Sequence, residues 1–416
     1  PRLISGEWCG TMNLTEPGAG SDVGALRTRA EPAPDGSYLI SGQKIFISWA
    51  DNDFSDNVCH LVLARLPDAP AGARGISLFM VPKRLPDEDG AAGAPNDLRV
   101  VSLEHKMGLH GSPTAVMSFD GARGWMIGAA GGGLAAMFTM MNNARLGVGG
   151  QGIGVAEAAY QKALTYAGER EQFGAPILAF ADVRRMLTRM KADLFVARAI
   201  ALDCAVSADM ATATGQQHWR DRAAFLTPIA KSFGTGTGIA VADLAIQVHG
   251  GVGYIEETGA AQYLRDVRVT AIYEGTNGIQ AMDMVGRKLA DDGAAAEALI
   301  DGVEATAAKA NAAVPELAKA TADAAAALRA AVGQMAALQG PGARGAGAAP
   351  LLHGFARVLG AQYHLRAALA EGAAGPRTAL ATLYITRLLP EHTALLAEAA
   401  ADPDALFALS PEDLAG

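Results

Sequence analysis

The sequence predicts an α+β multidomain chain, in which a compact β domain is followed by a helical bundle and then by an appended helical extension. Three observations predict it. Up to about residue 128, apolar residues come in short alternating or continuous runs punctuated by Gly, Pro, Asp and Asn, with no helical stretch between them. From Leu134 onward they recur at helical period in long Ala-rich segments. Beyond about residue 291 the composition shifts again, to Ala and Leu with few polar motifs. The expected domains are therefore 1–128, 129–290 and 291–416.

Taken in order, residues 38–40, 44–48, 59–65, 76–82, 98–103 and 114–119 read as strands, and so many short strands without helices suggest a sheet pair or barrel. The longest uncharged run, residues 124–144, holds five glycines and two asparagines, which suit a loop followed by a buried helix rather than a membrane span. Helices are expected near 134–168, 180–214, 219–248 and 277–290. The clearest linker is residues 340–350, Gly-Pro-Gly-Ala-Arg-Gly-Ala-Gly-Ala-Ala-Pro.

At 416 residues and 50% hydrophobic content, the chain is long enough for two or three cores. A net charge of −9 argues against a nucleic-acid or anionic-membrane surface and still permits a local basic patch for an acidic cofactor. Cys9, Cys59 and Cys204 lie far apart, with neither disulfide nor zinc spacing, so a reducing cytoplasm is the expected compartment. The chain opens at Pro1 without an initiator Met, and an upstream segment is expected to be missing.

Gly147-Val-Gly-Gly-Gln-Gly152 satisfies Gly-x-Gly-x-x-Gly, but a dinucleotide fingerprint needs a preceding strand, and residues 134–146 are helical in period. Close helix packing is the more economical explanation. Met12-Asn-Leu-Thr-Glu-Pro-Gly-Ala-Gly-Ser-Asp22 joins a strand to a turn whose N–H groups and hydroxyls suit ring carbonyls or phosphates, or mark an ordinary turn. Phe46-Ile-Ser48 by itself is a strand. Arg170-Glu-Gln-Phe-Gly174 and Gln247-Val-His-Gly-Gly251 each end a helix, and His249 has no metal-spaced partner.

The stretch with the oddest chemistry is Val269-Thr-Ala-Ile-Tyr-Glu-Gly-Thr-Asn-Gly-Ile-Gln280. Here one carboxylate, Glu274, follows an apolar β-branched run and precedes Gly275 and Thr276, the expected N-cap of a helix. Apolar surroundings raise a carboxyl pKa while a helix N-terminus lowers it. A carboxylate between those effects suits a general base near neutral pH, although a plain capping role remains open on these features.

Taken together, Thr15-Glu-Pro-Gly-Ala-Gly-Ser-Asp22, Phe46-Ile-Ser48, Arg170-Glu-Gln-Phe-Gly174, Gln247-Val-His-Gly-Gly251, Arg265-Asp-Val-Arg268 and Ile272-Tyr-Glu-Gly-Thr276 resemble the flavin-dependent acyl-CoA dehydrogenase family. The set spans residues 10–290 in family order. The resemblance implies a middle β-barrel domain and a four-helix bundle, with FAD held between them and a neighbouring subunit. It also implies an N-terminal helical domain ahead of residue 1, absent from this chain.

Carried over residue by residue, the resemblance makes Met12, Leu14, Thr15, Gly20 and Ser21 flavin and thioester contacts, with Phe46 and Ser48 beside the ring system. Arg170, Gln172 and Phe173 would reach FAD across a subunit interface; Gln247, Gly251, Thr276 and Gly278 would also contact it. Ser21, Asn142, Arg145, Tyr273 and Gly275 would border the substrate, and Glu274 would be the base that takes the α proton. Phe46 stands where a Trp is common, Phe180 and Ala181 where many relatives are polar, and Gly278 where some carry Gln. The implied reaction is α,β-dehydrogenation of an acyl-CoA to trans-2-enoyl-CoA. Electrons would pass to an electron-transfer flavoprotein, and the assembly would be a homodimer or dimer of dimers. The extension and Asn-Gly-Ile-Gln280 resemble the larger bacterial subgroup, which handles several acyl chains. An acyl-CoA oxidase, a DNA-binding relative of the alkylation-response flavoproteins and a scaffold without FAD are the rival readings, and the acidic balance weighs against DNA binding.

Overall fold

The computed structural model describes residues 1–289 and 293–416. The chain divides into two compact units, Pro1–Asn143 and Ala144–Gly416. The expected boundary at 290/291 falls within residues 290–292, outside the described residues.

In the first unit, α1 (Arg2–Ser5) leads into β1 (Trp8–Asn13), β2 (Arg29–Pro32), β3 (Tyr38–Ser48), β4 (Asn57–Arg65) and β5 (Ile76–Pro82). The small hairpin β6 (Arg84–Pro86) and β7 (Ala92–Pro95), then β8 (Leu98–Leu103) and β9 (Thr114–Ile127), complete it. β4 pairs with β2 and β5, and β9 pairs with β3 and β5, so β2-β3-β9-β5-β4 closes on itself, with β1 on β4 and β8 on β9. Closure removes the open edges that would template aggregation. Alternation sends Ile40 of β3 inward, and the irregularity between Lys44 and Ile47 returns Ile47 to the same core, where they join Val62, Phe79, Val81, Met117 and Phe119. Each such side chain contributes about 1.5–3 kcal/mol on burial.

Two expectations change here. Residues 38–40 and 44–48 form one strand rather than two, because irregularities at Ile40/Ser41 and Lys44/Ile47 let it bend without breaking its pairing to β9. Residues 124–127 are not loop: they end β9, paired with β5 from Leu78 to Met80.

The long helix α2 (Gly133–Glu169) starts in the first unit and continues into the second. After the hairpin β10 (Glu171–Gln172) and β11 (Ala175–Pro176) come α3 (Ala181–Thr214), α4 (Gln217–His249), α5 (Ala260–Arg268) and α6 (Asn277–Asp283). Gly215, at φ 69°, ends α3 in the left-handed conformation that glycine favours. The Gly-x-Gly-x-x-Gly match lies well inside α2, so helix rather than strand leads into it. A Cβ on Gly149 would come within 2.9 Å of the Ala230 carbonyl oxygen, and one on Gly152 within 2.5 Å of the Gly234 carbonyl oxygen. These glycines let α2 and α4 touch backbone to backbone.

The rest of the unit is α7 (Ala294–Ala310), α8 (Pro315–Ala337), α9 (Pro341–Ala346), α10 (Ala348–Ala370), α11 (Pro376–Leu383), α12 (Glu391–Ala399) and α13 (Pro411–Ala415). α7, α8, α10 and α12 share one hydrophobic core with α3 and α4: Phe355 of α10 meets Phe225 of α4 at a ring distance of 5.1 Å. Arg357, buried on α10, ion-pairs with Asp193 of α3 and at 2.7 Å with Glu391 of α12. The expected linker at 340–350 is instead two helices. Pro341 opens α9 at its first turn, where a missing N–H costs nothing, and Gly347 packs where a Cβ would meet the Ala399 carbonyl oxygen at 2.2 Å. Among the described residues no helix is long and apolar enough to cross a membrane.

Candidate active site

The chain reaches Glu274 through an abrupt change of backbone. α5 runs into a 3-10 turn, Val269–Ala271, so the β-branched run is helical and buries Thr270. Then Glu274 (φ 54°) and Gly275 (φ 80°) adopt left-handed conformations in succession. Glycine accepts this shape; a glutamate is strained in it by about 1–3 kcal/mol, and such strain collects at functional sites. Thr276 restarts the helix as the expected N-cap, its Oγ1 accepting from the Ile279 N–H at 3.1 Å.

Three helices supply what surrounds this loop. From α4, the fully buried Lys231 donates its Nζ to the Gly275 carbonyl at 2.8 Å and to Asn277 Oδ1 at 3.0 Å. From α2, the buried Arg145 donates to Asp283 Oδ2 at 3.0 Å, and its guanidinium lies 3.6 Å from where a Cβ on Gly275 would be. From α6, Gln280 Nε2 donates to the carbonyls of Gly275 at 3.2 Å and Glu274 at 3.4 Å. The Tyr273 hydroxyl donates to Gln151 Oε1.

Burial raises the Glu274 carboxyl above its ordinary pKa, and the positive charges of Arg145 and Lys231 pull it only partway back. Burial and the neighbouring Arg145 bring Lys231 down to about 8, with Glu274 acting in the opposite direction. The result is a half-buried carboxyl poised to hold or release a proton closer to neutrality than an exposed glutamate would. Among the described residues the Glu274 N–H donates no hydrogen bond, which leaves it free for a ligand oxygen.

The other anticipated residues fall into two groups. In the first unit, the Ile45 N–H donates to the Thr15 carbonyl at 2.9 Å, so the Met12, Leu14, Thr15, Gly20 and Ser21 segment lies along the Phe46 and Ser48 strand. Phe46 is 59% exposed at φ 62°. Among the described residues the N–H groups of Gly20 and Ser21 donate to nothing, and Ser21 lines a cleft of about 540 Å³ with Val23, Ala73, Leu134, Phe138 and Met141. In the second unit, Phe173 (φ 51°) and Gly174 (φ 77°) turn the β10–β11 hairpin and leave Phe173 96% exposed. Arg170 and Gln172 are exposed beside it, and Arg170 makes no ion pair among the described residues. Gln247, Gly251, Gly278 and Asn142 are exposed as well. Free N–H groups and hydroxyls suit a flavin ring, and an exposed guanidinium suits a diphosphate, so these donors fit FAD. His249 is a packing residue: it donates Nδ1 to the Ala245 carbonyl at 2.6 Å and stacks on Tyr166. Among the described residues no cluster of His, Cys, Asp and Glu forms a metal site.

Sequence reasoning passed over Lys231, Asn277, Asp283 and Glu16. Glu16 organises the Thr15–Asp22 turn, accepting from the N–H groups of Arg27 (2.6 Å) and Thr28 (3.1 Å), Thr28 Oγ1 (2.6 Å) and the buried Lys44 (2.8 Å). A signal was present for both lysines: each is the lone charge in an otherwise uncharged stretch, residues 36–50 and 223–242.

Comparison with known proteins converges on one family. Residues 11–122 match the acyl-CoA dehydrogenase middle domain and residues 131–290 its C-terminal domain. The chain is 46% identical to 3-methylmercaptopropionyl-CoA dehydrogenase of Ruegeria pomeroyi, over 84% of this chain and 63% of that protein. It is 41% identical to a butyryl-CoA dehydrogenase of Syntrophomonas wolfei, over 69% of this chain and 51% of that one. It thus spans between half and two thirds of the length of these curated relatives. The solved butyryl-CoA dehydrogenase of Megasphaera elsdenii superposes with a TM-score of 0.60 at 31% identity, covering 69% of this chain and 70% of that one. With both family domains in sequence order, and with the fold of a solved relative along more than two thirds of that relative's length, this chain belongs to the acyl-CoA dehydrogenase family.

Proposed function

We propose that this chain carries the flavin-binding and catalytic portion of an acyl-CoA dehydrogenase, converting an acyl-CoA to its trans-2-enoyl-CoA with Glu274 as the base. The observation that carries the reading is the Glu274 carboxyl: half-buried, raised in pKa, and mounted on a strained left-handed loop backed by two cations. An α C–H beside a thioester is weakly acidic, so the base needs a pKa near working pH and the developing enolate oxygen needs donors. Burial moves Glu274 in the direction of the first need, and its own unengaged N–H answers part of the second. When bound, FAD would supply the hydride acceptor for the β hydrogen, and an electron-transfer flavoprotein would be the onward acceptor. Thr15, Gly20, Ser21, Phe46 and Ser48 would hold the flavin ring. Arg170, Gln172, Phe173, Gln247, Gly251, Thr276 and Gly278 would hold the remainder of the cofactor across a homodimeric or higher assembly. Ser21, Asn142, Arg145, Tyr273 and Gly275 would border the thioester. The names of the two relatives favour a short acyl chain.

The test is an anaerobic titration of the flavin-loaded protein with propionyl-, butyryl-, 3-methylmercaptopropionyl-, octanoyl- and palmitoyl-CoA. Bleaching of flavin absorbance by the short thioesters, lost in Glu274→Gln although flavin stays bound, is the expected result. Undiminished bleaching in the variant would remove Glu274 from the reaction. Rapid reoxidation by air with product present would favour the oxidase instead.

A further inference from the structure

We infer that Lys231 is the positioning residue of the catalytic loop: its ammonium pins the left-handed Glu274-Gly275 pair and stands as the counter-charge to the Glu274 carboxylate. This rests on the reading of Glu274 as the base.

Lys231 is an unexpected occupant of its place. It is 0% exposed on α4, among Phe225, Leu226, Ile229, Ala230 and Phe233, which are buried too. An ammonium there must find polar partners or lose its charge. Both acceptors it finds belong to one short segment, the Gly275 carbonyl and Asn277 Oδ1. Asn277 is itself held from α4: its Oδ1 accepts from Thr235 Oγ1 at 3.2 Å, and its Nδ2 donates to the Ser232 carbonyl at 3.4 Å. The Gly275 carbonyl takes a second donor, Gln280 Nε2. The peptide that follows Gly275 is therefore fixed from two sides, and Gln280 Nε2 also reaches the Glu274 carbonyl at 3.4 Å, which is the support a strained conformation needs in order to persist.

The same ammonium is one of the charges that face Glu274. The others are Arg145 from α2, already paired with Asp283 of α6, which in turn pairs with Arg287; Tyr273 adjoins the carboxyl from the loop itself. Lys231 is a cation that hydrogen-bonds directly to the Gly275 carbonyl and to Asn277, the first residue after the Thr276 cap. Glu274 and Lys231 each influence the other's proton affinity, in opposite senses.

The experiment titrates the Glu274 carboxyl by ¹³C NMR in ligand-free protein labelled at glutamate, with the signal assigned from its loss in Glu274→Gln. In Lys231→Met the carboxyl titrates higher by about one unit or more, as expected when a nearby opposite charge is removed. Lys231→Arg, which keeps the charge, returns it toward the wild-type value, and Gln280→Leu, which removes a tether and no charge, leaves it unmoved. A folded Lys231→Met protein with an unmoved Glu274 titration overturns the inference. Should that variant not fold, the coupling is read from the other side. Glu274→Gln then lowers the Lys231 ammonium below its value of about 8, followed by ¹⁵N NMR, and an unchanged Lys231 overturns the inference. No acyl-CoA enters these titrations, so the dehydrogenase reading stands or falls separately on flavin bleaching.

Discussion

Substituting Gly152 tests whether the contact between α2 and α4 is as close as it looks. A Cβ on Gly152 would lie 2.5 Å from the Gly234 carbonyl oxygen and 2.7 Å from Thr235 Cα. Both are backbone atoms of a buried helix and cannot swing aside. Ordinary contact begins near 3.4 Å, so Gly152→Ala must part the two helices by about 0.9 Å. Overpacking of this kind costs about 1–3 kcal/mol, while replacing a mid-helix glycine with alanine returns about 1 kcal/mol of propensity. With backbone on both sides of the clash, a net loss of about 1–2 kcal/mol is expected. Gly154 is the control: it lies two residues on in the same helix, is exposed, and has no atom within 4 Å of a built Cβ. Gly154→Ala should stabilise by up to about 1 kcal/mol. Urea unfolding at constant m-value measures both, and opposite signs are the expected result. Equal stabilisation by the two substitutions would refute the close crossing of α2 and α4.

Two further outcomes follow from buried charge. Glu16→Gln leaves the fully buried Lys44 without its counter-ion and should cost about 3–5 kcal/mol in urea unfolding at pH 7. Burial pushes the Glu16 pKa up, but the charge and hydrogen bond of Lys44, with those of Thr28 and Arg27, outweigh it and leave it below the ordinary 4.5. A depressed carboxyl stabilises the fold above its unfolded pKa and loses that contribution as pH falls through the folded value. The gap between wild type and Glu16→Gln should therefore close below about pH 4.5. Arg357→Leu leaves Asp193 and Glu391 with Arg189 as their remaining shared cation, at 3.6 and 2.7 Å, and should cost about 1–3 kcal/mol in thermal or urea unfolding. A loss below about 1 kcal/mol would mean that the pair does little to hold α10 on α3.

How much of this was legible in the sequence depends on whether the signal lay along the chain or across it. Strands 76–82 and 98–103 and the bounds of α3 and α4 came through, because turn residues and apolar period act locally. So did the Thr276 cap, which needs only four consecutive residues. Periodicity gave no warning that β3 would pass through Gly42 unbroken, since pairing to β9 holds it together. Residues 340–350 read as a linker because Gly and Pro usually stop helices, whereas Pro341 at a first turn starts one. Glu274 was found from its local setting, but the cations that hold its pKa back against the effect of burial sit 129 residues before it, at Arg145, and 43 before it, at Lys231. No spacing rule connects residues so far apart, and only packed helices bring them to one loop.

The placement of α10 bears on how variation in this chain would show itself. It lies in the interior of the second unit, with Leu351, Phe355, Leu359 and Leu365 wholly enclosed. What the composition presents as an addition at the end of the chain is thus inseparable from the helices that carry Lys231 and Arg145. A truncated side chain at Phe355 would remove about 3–5 kcal/mol, a large part of the margin that keeps a domain folded. In a cell such a change would surface as fewer molecules per ribosome-hour rather than slower ones, with every surviving copy turning over at its normal rate. Screens that score only total turnover would therefore map apparent hot spots onto a helix that supplies none of the side chains described around Glu274.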